Sequence, residues 1–186
     1  MTCLCGEYDH DRFNETISQE LQAEITAANV FNESFCVSID LNVDQYFNCA
    51  SLNTTEILAE LSKKMGVYQL WVDQDYCPDH YSHKMLCVYT GKGFVQQRVK
   101  EHISKKWVKD EILYLTFFEC ENRIAKYLEQ LSLDIYNFHL NSEENYGLEY
   151  LSTIWNEERI EHGTQFQEHL ELLQLKYPNR FTPEDG

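Results

Sequence analysis

The sequence predicts an α+β protein whose centre is a strand–strand–helix–strand–helix unit with a small three-stranded antiparallel sheet. Residues 66–74 and 84–90 are rich in β-branched and aromatic side chains, which is typical of strands. Residues 93–107 and 121–140 carry apolar side chains at helical spacing, and the strand-like stretch 111–120 lies between them. About nine residues separate the first two strands, a loop length that suits an antiparallel pair.

Both ends of the chain are predicted to be acidic, mostly helical extensions of this core. On the N-terminal side, 14–30 is predicted to be a helix, 33–43 a strand and 51–65 a helix. On the C-terminal side, 148–155 and 164–177 are predicted to be helices. The predicted organisation has three parts: an acidic N-terminal region packed on the core (1–63), the core itself (64–145) and an acidic helical C-terminal extension (146–186).

Composition and cysteine usage favour an intracellular globular protein. Hydrophobic residues make up 43% of the 186 residues, which is enough for a packed core. No apolar run approaches the roughly 20 residues needed to cross a bilayer, and the N-terminus does not have the pattern of a secretory signal. Seven cysteines, without any CxxC pair, indicate reduced thiols rather than a disulfide framework or a zinc site. We therefore expect a cytoplasmic location.

The charge of the chain is strongly negative but unevenly distributed. The net charge is −16, which disfavours simple nucleic-acid binding. Residues 1–65 contribute −8 and residues 142–186 contribute −7, so the middle of the chain is almost neutral. Basic side chains cluster there, at Lys92, Arg98, Lys100, Lys105, Lys106 and Lys109. This cluster could attract a phosphodiester, or it could be an ordinary solvated helix face.

The sequence Gly91-Lys92-Gly93 follows the second predicted strand but matches neither common phosphate-binding loop. A Walker loop needs a glycine where Leu86 stands, and a dinucleotide loop needs one where Gln96 stands. The two glycines are therefore predicted to turn the chain sharply from strand to helix. Lys92 and the following helix N-terminus could still attract a phosphate.

Several side chains that suit phosphodiester hydrolysis occur in a fixed order along these elements. They are Tyr68 in Gly66-Val67-Tyr68, Tyr89 in Tyr89-Thr90-Gly91, then Arg98, His102, Glu129 and Asn141. In this order, across a strand–strand–helix–strand–helix unit, they resemble the GIY-YIG nuclease domain. The resemblance covers residues 64–145. Thr90 departs from the isoleucine of the second family motif, and Val67 replaces isoleucine in the first.

The resemblance implies a divalent-metal-dependent endonuclease that hydrolyses phosphodiester bonds, with DNA as the expected polymer. Glu129 would hold a single Mg²⁺ or Mn²⁺, since hard cations prefer oxygen ligands. Tyr89, assisted by Tyr68, would position or deprotonate the attacking water. Because a phenol is a poor base at neutral pH, nearby positive charge is expected to lower its pKa.

The remaining residues of the pattern would act on the phosphate and on protons. Arg98 would clamp the non-bridging oxygens, and His102 would take part in proton transfer or contact a phosphate. Asn141 would orient the groups of the site. The lysines expected to bind the substrate are Lys92, Lys100, Lys105, Lys106 and Lys109.

Other interpretations of the same residues remain open at this level. Tyr68 and Tyr89 could simply cap the core with their hydroxyls in solvent. The chain could be a non-catalytic binding protein on a nuclease-like scaffold, whose acidic flanks engage a basic protein partner or mimic nucleic acid. The flanks could instead cover the basic residues 92–109 until a substrate displaces them, in which case removal of residues 142–186 should raise activity.

Overall fold

The structure, a computed structural model, describes residues 8–21, 23–32, 35–39, 58–106 and 113–157. Its helices and strands, in chain order, are α1 (Asp11–Leu21), a π-helical turn (Ala28–Asn32), β1 (Phe35–Ile39), a 3₁₀ turn (Ala59–Leu61), β2 (Met65–Cys77), β3 (Ser82–Phe94), α2 (Val95–Lys105), β4 (Leu113–Glu119), α3 (Asn122–Ile135) and β5 (Ser152–Asn156). Within the described segments, no helix is both long and apolar enough to span a bilayer.

All five strands form one antiparallel sheet with the order β1-β4-β2-β3-β5. The α+β class predicted from the sequence is therefore confirmed. The predicted sheet of three strands was too small, because β1 joins the free edge of β4 and β5 joins the outer edge of β3. Strand β1 lies within the stretch 33–43 that the sequence predicted to be extended.

The sheet separates two hydrophobic cores, because successive residues of a strand point to opposite faces. Val67 and Trp71 of β2 face a core that includes residues of α1 and α3. Tyr68 and Leu70, which alternate with them, face a second core that includes residues of α2. Val95 and Val99, predicted as part of the apolar stripe of α2, are fully buried in that second core.

Three helix predictions are wrong in extent and one is wrong in type. Of the predicted helix 51–65, the described part contains only the 3₁₀ turn Ala59–Leu61, and β2 begins at Met65. The predicted helix 14–30 begins at Asp11 but ends at Leu21, and the predicted helix 121–140 ends at Ile135. Residues 148–155, predicted to be helical, contain strand β5 instead. Thr153, Ile154 and Trp155 are strand-favouring types, and pairing with β3 decides the conformation of so short a segment. The predicted helix 164–177 lies outside the described residues.

The predicted sharp glycine turn at Gly91-Lys92-Gly93 is also wrong. Strand β3 continues through all three residues, and they pair with β2. Gly91 lies opposite Tyr68, and Lys92 lies opposite Val67. Only Gly93 has a positive φ, of 124°, where the chain leaves the sheet to enter α2.

Candidate active site

Tyr68 and Tyr89 reach the same face of the sheet through the register of β2 against β3. Tyr68 lies opposite Gly91, and Tyr89 stands two residues before Gly91, so both tyrosines point to one face. A β-bulge leaves Val88 without a partner directly before this regular stretch. Val88 and Tyr89, although they are neighbours in sequence, therefore both pack against the core on the α2 side.

Tyr68, Tyr89 and His102 form one aromatic cluster on this face. The Tyr68 hydroxyl lies 3.1 Å from His102 Nε2. The ring centroids of Tyr89 and His102 are 4.2 Å apart, and those of Tyr68 and Tyr89 are 5.9 Å apart. Gly91 makes room for the cluster, since a Cβ there would lie 2.8 Å from the Tyr68 hydroxyl and 2.7 Å from Tyr89 Cε1. Three residues that the sequence singled out are thus brought together.

The protonation states within this cluster differ from those expected. Burial raises the pKa of Tyr68 well above its usual value, and burial also raises the pKa of Tyr89. Arg98 acts in the expected direction on both pKa values, but burial outweighs it. Both phenols are therefore protonated at neutral pH. Positive charge from Arg98 thus lowers both pKa values as expected, but the net shift of each is upward because burial is the larger cause.

His102 is the group of the cluster that can accept a proton. Burial, followed by the positive charge of Lys106, lowers the pKa of His102 to about 4. The imidazole is therefore neutral at physiological pH, and one ring nitrogen is an acceptor. Because Nε2 faces the Tyr68 hydroxyl, a tautomer protonated at Nδ1 can accept the hydrogen of Tyr68. The side-chain hydrogen bond between Tyr68 and Tyr89 lowers the pKa of Tyr89 and raises that of Tyr68.

Glu129 lies on α3, where it forms a close ion pair with Lys92. Lys92 Nζ is 2.5 Å from Glu129 Oε2, and the two side chains are 32% and 19% exposed. Lys92 lies opposite Val67, so its side chain is on the α3 side of the sheet rather than the tyrosine side. The negative charge of Glu129 nevertheless raises the pKa of both Tyr68 and Tyr89, so its carboxylate is within electrostatic range of both phenols. The tyrosine pair and the Lys92–Glu129 pair thus lie on opposite sides of the β3 backbone at Gly91.

Glu129 is the residue that the sequence predicted to hold the metal, and its carboxylate is paired with an ammonium group. Within the described part of the chain, no three His, Cys, Asp or Glu side chains are grouped so that they could hold a metal ion. A single carboxylate with water completing the coordination is a common arrangement for Mg²⁺. The ammonium group of Lys92 contacts Glu129 Oε2, whereas the sequence predicted that Lys92 would contact substrate. A cation at Glu129 would therefore displace this ammonium group or share the carboxylate with it.

Arg98 lies on α2 beside the cluster. Its Nη1 is 3.8 Å from Glu101 Oε2, one turn further along the helix. Its charge lowers the pKa values of Tyr68, Tyr89 and His102. The guanidinium is thus within electrostatic range of all three rings, and it is exposed enough to contact a phosphate.

Asn141 holds the backbone of the site rather than its reactive groups. Its Oδ1 accepts a hydrogen bond from the Thr90 amide at 3.0 Å, and its Nδ2 donates to the Thr90 carbonyl at 2.9 Å. Strand β5 pairs with β3 only over 82–86, so this amide satisfies the backbone of β3 beyond the end of β5. Asn141 therefore fixes the strand segment that carries Tyr89.

The predicted substrate lysines divide into different environments. Lys106 lies with Nζ 5.3 Å from the centroid of the Tyr89 ring and donates to the Leu140 carbonyl at 3.3 Å. Lys105 is exposed on α2, and Lys100 is half-buried on the same helix. Lys109 lies outside the described residues. Lys106 is thus the predicted substrate lysine that the structure brings against a tyrosine of the cluster.

A buried polar row that was not predicted from the sequence lies beneath α3. Trp71 Nε1 donates to Thr116 Oγ1 at 2.7 Å, and Thr116 Oγ1 donates to Gln69 Oε1 at 2.8 Å. Gln69 and Thr90 are paired across β2 and β3, so this row runs toward the backbone that Asn141 holds. A glutamine within the otherwise apolar strand sequence 66–72 was the available signal.

The depressed pKa of His102 predicts that acid destabilises the protein. In the unfolded chain His102 binds a proton near pH 6.5, whereas the folded protein binds it only near pH 4. The unfolded state therefore carries more protons between these values, and the free energy of unfolding falls as the pH is lowered through this window. Urea denaturation at a series of pH values should show this slope, and His102→Gln should make it shallower. An unchanged slope in the variant would contradict the assignment.

Models of protein families, curated proteins and solved structures were all compared with the chain, and none of them matches it. The chemistry of the site therefore follows from the side chains that it contains. These residues supply a neutral acceptor at His102, two protonated phenols, a carboxylate beside a lysine, and an accessible guanidinium. Such a set can orient water, move a proton and neutralise an anionic substrate.

Proposed function

We propose that the protein is a divalent-metal-dependent endonuclease of the GIY-YIG type, which hydrolyses phosphodiester bonds, with DNA as the expected polymer. The observation that carries the proposal is the arrangement around Gly91. A hydrogen-bonded tyrosine–histidine cluster lies on one side of this backbone, and the Glu129 carboxylate lies on the other, within electrostatic range of both tyrosines. Proton transfer and charge neutralisation are the two needs of phosphodiester hydrolysis.

Water activation is assigned to the aromatic cluster. Tyr89 is less buried than Tyr68, so a substrate reaches its hydroxyl first. The Tyr89 hydroxyl accepts a proton from the attacking water as its own proton passes through Tyr68 to His102 Nε2. The water oxygen bonds to phosphorus while the bond from phosphorus to the leaving oxygen breaks, and the leaving oxygen takes a proton from solvent. A neutral His102 makes this transfer feasible although neither phenol is ionised.

Positively charged groups on both sides of β3 would neutralise the charge of the phosphate. Arg98 would contact non-bridging oxygens in a bidentate manner, which suits the planar guanidinium. Glu129 would hold Mg²⁺ or Mn²⁺, which when bound supplies positive charge beside the phosphoryl and leaving oxygens. Lys92, displaced from Glu129, would then be free to contact another phosphate oxygen.

Replacing Gly91 by alanine is expected to slow cleavage by about 10²-fold, because a methyl group would push the two tyrosine rings apart and misplace the reacting groups. The measurement is the single-turnover rate on a DNA substrate. Gln97→Ala, at an exposed position of α2, is the control and should cleave like the wild type. Equal rates for Gly91→Ala and wild type would show that close approach of the tyrosines is not required.

The experiment that tests the proposal offers plasmid, single-stranded DNA and RNA to the wild-type protein. Cleavage is compared in Mg²⁺, in Mn²⁺ and in excess chelator. The proposal expects cleavage of DNA that requires the metal. Absence of cleavage of all three polymers in both metals would reject it.

The net charge of −16 favours a second candidate, a non-catalytic protein whose acidic surface engages a basic protein partner. Under this alternative, the wild type cuts nothing in the same assay.

The acidic ends could also mask the basic residues of α2. Deletion from residue 142 is not a clean test of masking, because it removes strand β5 from the sheet. A chain ending at residue 157 keeps β5, and masking predicts that it cleaves faster than the full chain.

A further inference from the structure

A group of exposed apolar side chains lies between α3 and β5. Tyr146, Leu148 and Tyr150 are 73%, 91% and 60% exposed. His139 stacks on Tyr150, with centroids 5.5 Å apart and ring planes 12° from parallel. Clustered exposed apolar side chains commonly mark a binding surface. Because His139 and Tyr150 are both exposed, a third flat ring can reach the pair.

The backbone holds the His139–Tyr150 pair in place. On one side of Tyr150, the Asn137 amide donates to the Glu149 carbonyl at 2.7 Å. On the other side, the Cys87 amide donates to the Leu151 carbonyl at 2.9 Å. Asn145 Nδ2 also bonds the Phe138 carbonyl at 2.9 Å, which closes the loop that carries His139. A pair fixed in this way would lose little conformational entropy when it binds a ligand.

The pair is connected to the candidate active site through Leu140. Residue 140 follows His139, and its amide donates to the Val88 carbonyl at 2.9 Å, beside Tyr89. Its carbonyl accepts a hydrogen bond from Lys106, whose ammonium lies over the Tyr89 ring. The backbone at Leu140 thus links the residue next to His139 to the strand that carries Tyr89.

The surrounding charges favour one strand over two. Lys105 and Lys106, at the end of α2, attract a phosphate backbone on one side. Glu143 and Glu144 are exposed in the loop that follows His139, and they repel phosphates, so a duplex, which carries twice as many phosphates, is disfavoured more than a single strand. Bases that are unpaired can turn toward an aromatic ring, whereas bases inside a duplex cannot.

We propose that the His139–Tyr150 pair is a stacking site for an unpaired base of single-stranded DNA next to the candidate active site. The inference rests on the proposed function, because the pair is assigned to binding the strand that the nuclease would cut. Binding itself can be measured without cleavage, so the two proposals can fail separately.

The test measures fluorescence anisotropy of a labelled oligothymidine strand, and of a labelled duplex of matched length, in the presence of chelator. Stacking is worth about 1–3 kcal/mol per base, so Tyr150→Ala should weaken single-strand binding by about 5- to 100-fold. Tyr150→Phe keeps the ring and should bind within about twofold of wild type on the same stacking argument. Tyr81→Ala removes an exposed tyrosine from the turn between β2 and β3 and is the matched control.

Three results would overturn the proposal. They are failure of the wild type to bind the single strand, unchanged binding by Tyr150→Ala, and equal losses on single strand and duplex. A Tyr150-dependent affinity for single strands in a protein that cuts no polymer would support the stacking site and reject the nuclease. Normal cleavage by a Tyr150→Ala variant whose single-strand affinity is unchanged would support the nuclease and reject the stacking site.

Discussion

Replacing Glu129 by glutamine is expected to slow metal-dependent cleavage by about 10³-fold or more. The change removes the carboxylate charge that would hold the cation but leaves an amide oxygen for Lys92. Metal-ion stabilisation of the transition state is worth several kcal/mol, and each 1.36 kcal/mol corresponds to a tenfold change in rate. The measurement is the single-turnover rate on DNA with saturating Mn²⁺.

The chain offers a matched control for this substitution. Glu119, on β4, also pairs with a lysine, since its Oε2 lies 3.5 Å from Lys64 Nζ. It makes no contribution to the pKa of either tyrosine of the cluster. Glu119→Gln should therefore cleave at the wild-type rate. If Glu129→Gln did so as well, the carboxylate would have no catalytic part, and the Lys92–Glu129 pair would be purely structural.

Replacing Tyr89 by phenylalanine is expected to slow cleavage by about 10²- to 10⁴-fold, the usual contribution of a positioned proton-transfer group. The substitution keeps the ring that packs against His102 and Lys106, and removes only the hydroxyl. The free energy of unfolding should therefore change little. Rates are measured under single-turnover conditions, together with urea denaturation.

The structural interpretation of the tyrosines makes the opposite prediction. If Tyr89 only caps the core, Tyr89→Phe should cleave as fast as the wild type. Tyr81→Phe, in the exposed turn between β2 and β3, controls for loss of a tyrosine hydroxyl in general. A loss of stability equal to that of a core truncation would show that the slower cleavage arises from misfolding.

The sequence predicts the elements around the site well, because local patterns decide them. β-branched and aromatic residues mark β2 and β3, and helical spacing marks α2 and α3. The resemblance implied His102 as a site residue, and His102 does contact Tyr68, which is 34 residues away in the sequence.

The orientation of Tyr89 could not be predicted, because it depends on the register of β2 against β3. Local sequence patterns do not fix that register, which places Gly91 opposite Tyr68 and so puts Tyr89 on the same face of the sheet as Tyr68. The continuation of β3 through Gly91 could not be predicted from the sequence either. Glycine suits a turn, but here it also leaves space for two tyrosine rings from the same and the neighbouring strand.

Long-range partners account for the other differences. Lys92 was expected to meet substrate, but a carboxylate 37 residues away pairs with it. Asn141 was expected among the reactive groups, but it hydrogen-bonds the Thr90 backbone. Strand β5 was predicted to be a helix because its short pattern is compatible with both, and the open edge of β3 decides between them.

The central claim is that Glu129 and the tyrosine cluster, on two sides of Gly91, act on one phosphate. A double-mutant cycle tests it most directly, with single-turnover cleavage rates of wild type, Glu129→Gln, Tyr89→Phe and the double variant in Mn²⁺. Groups that act as a unit are strongly non-additive, so the double variant should be about as slow as the slower single variant. If the two losses multiply, or if the wild type does not cleave, the shared site is contradicted.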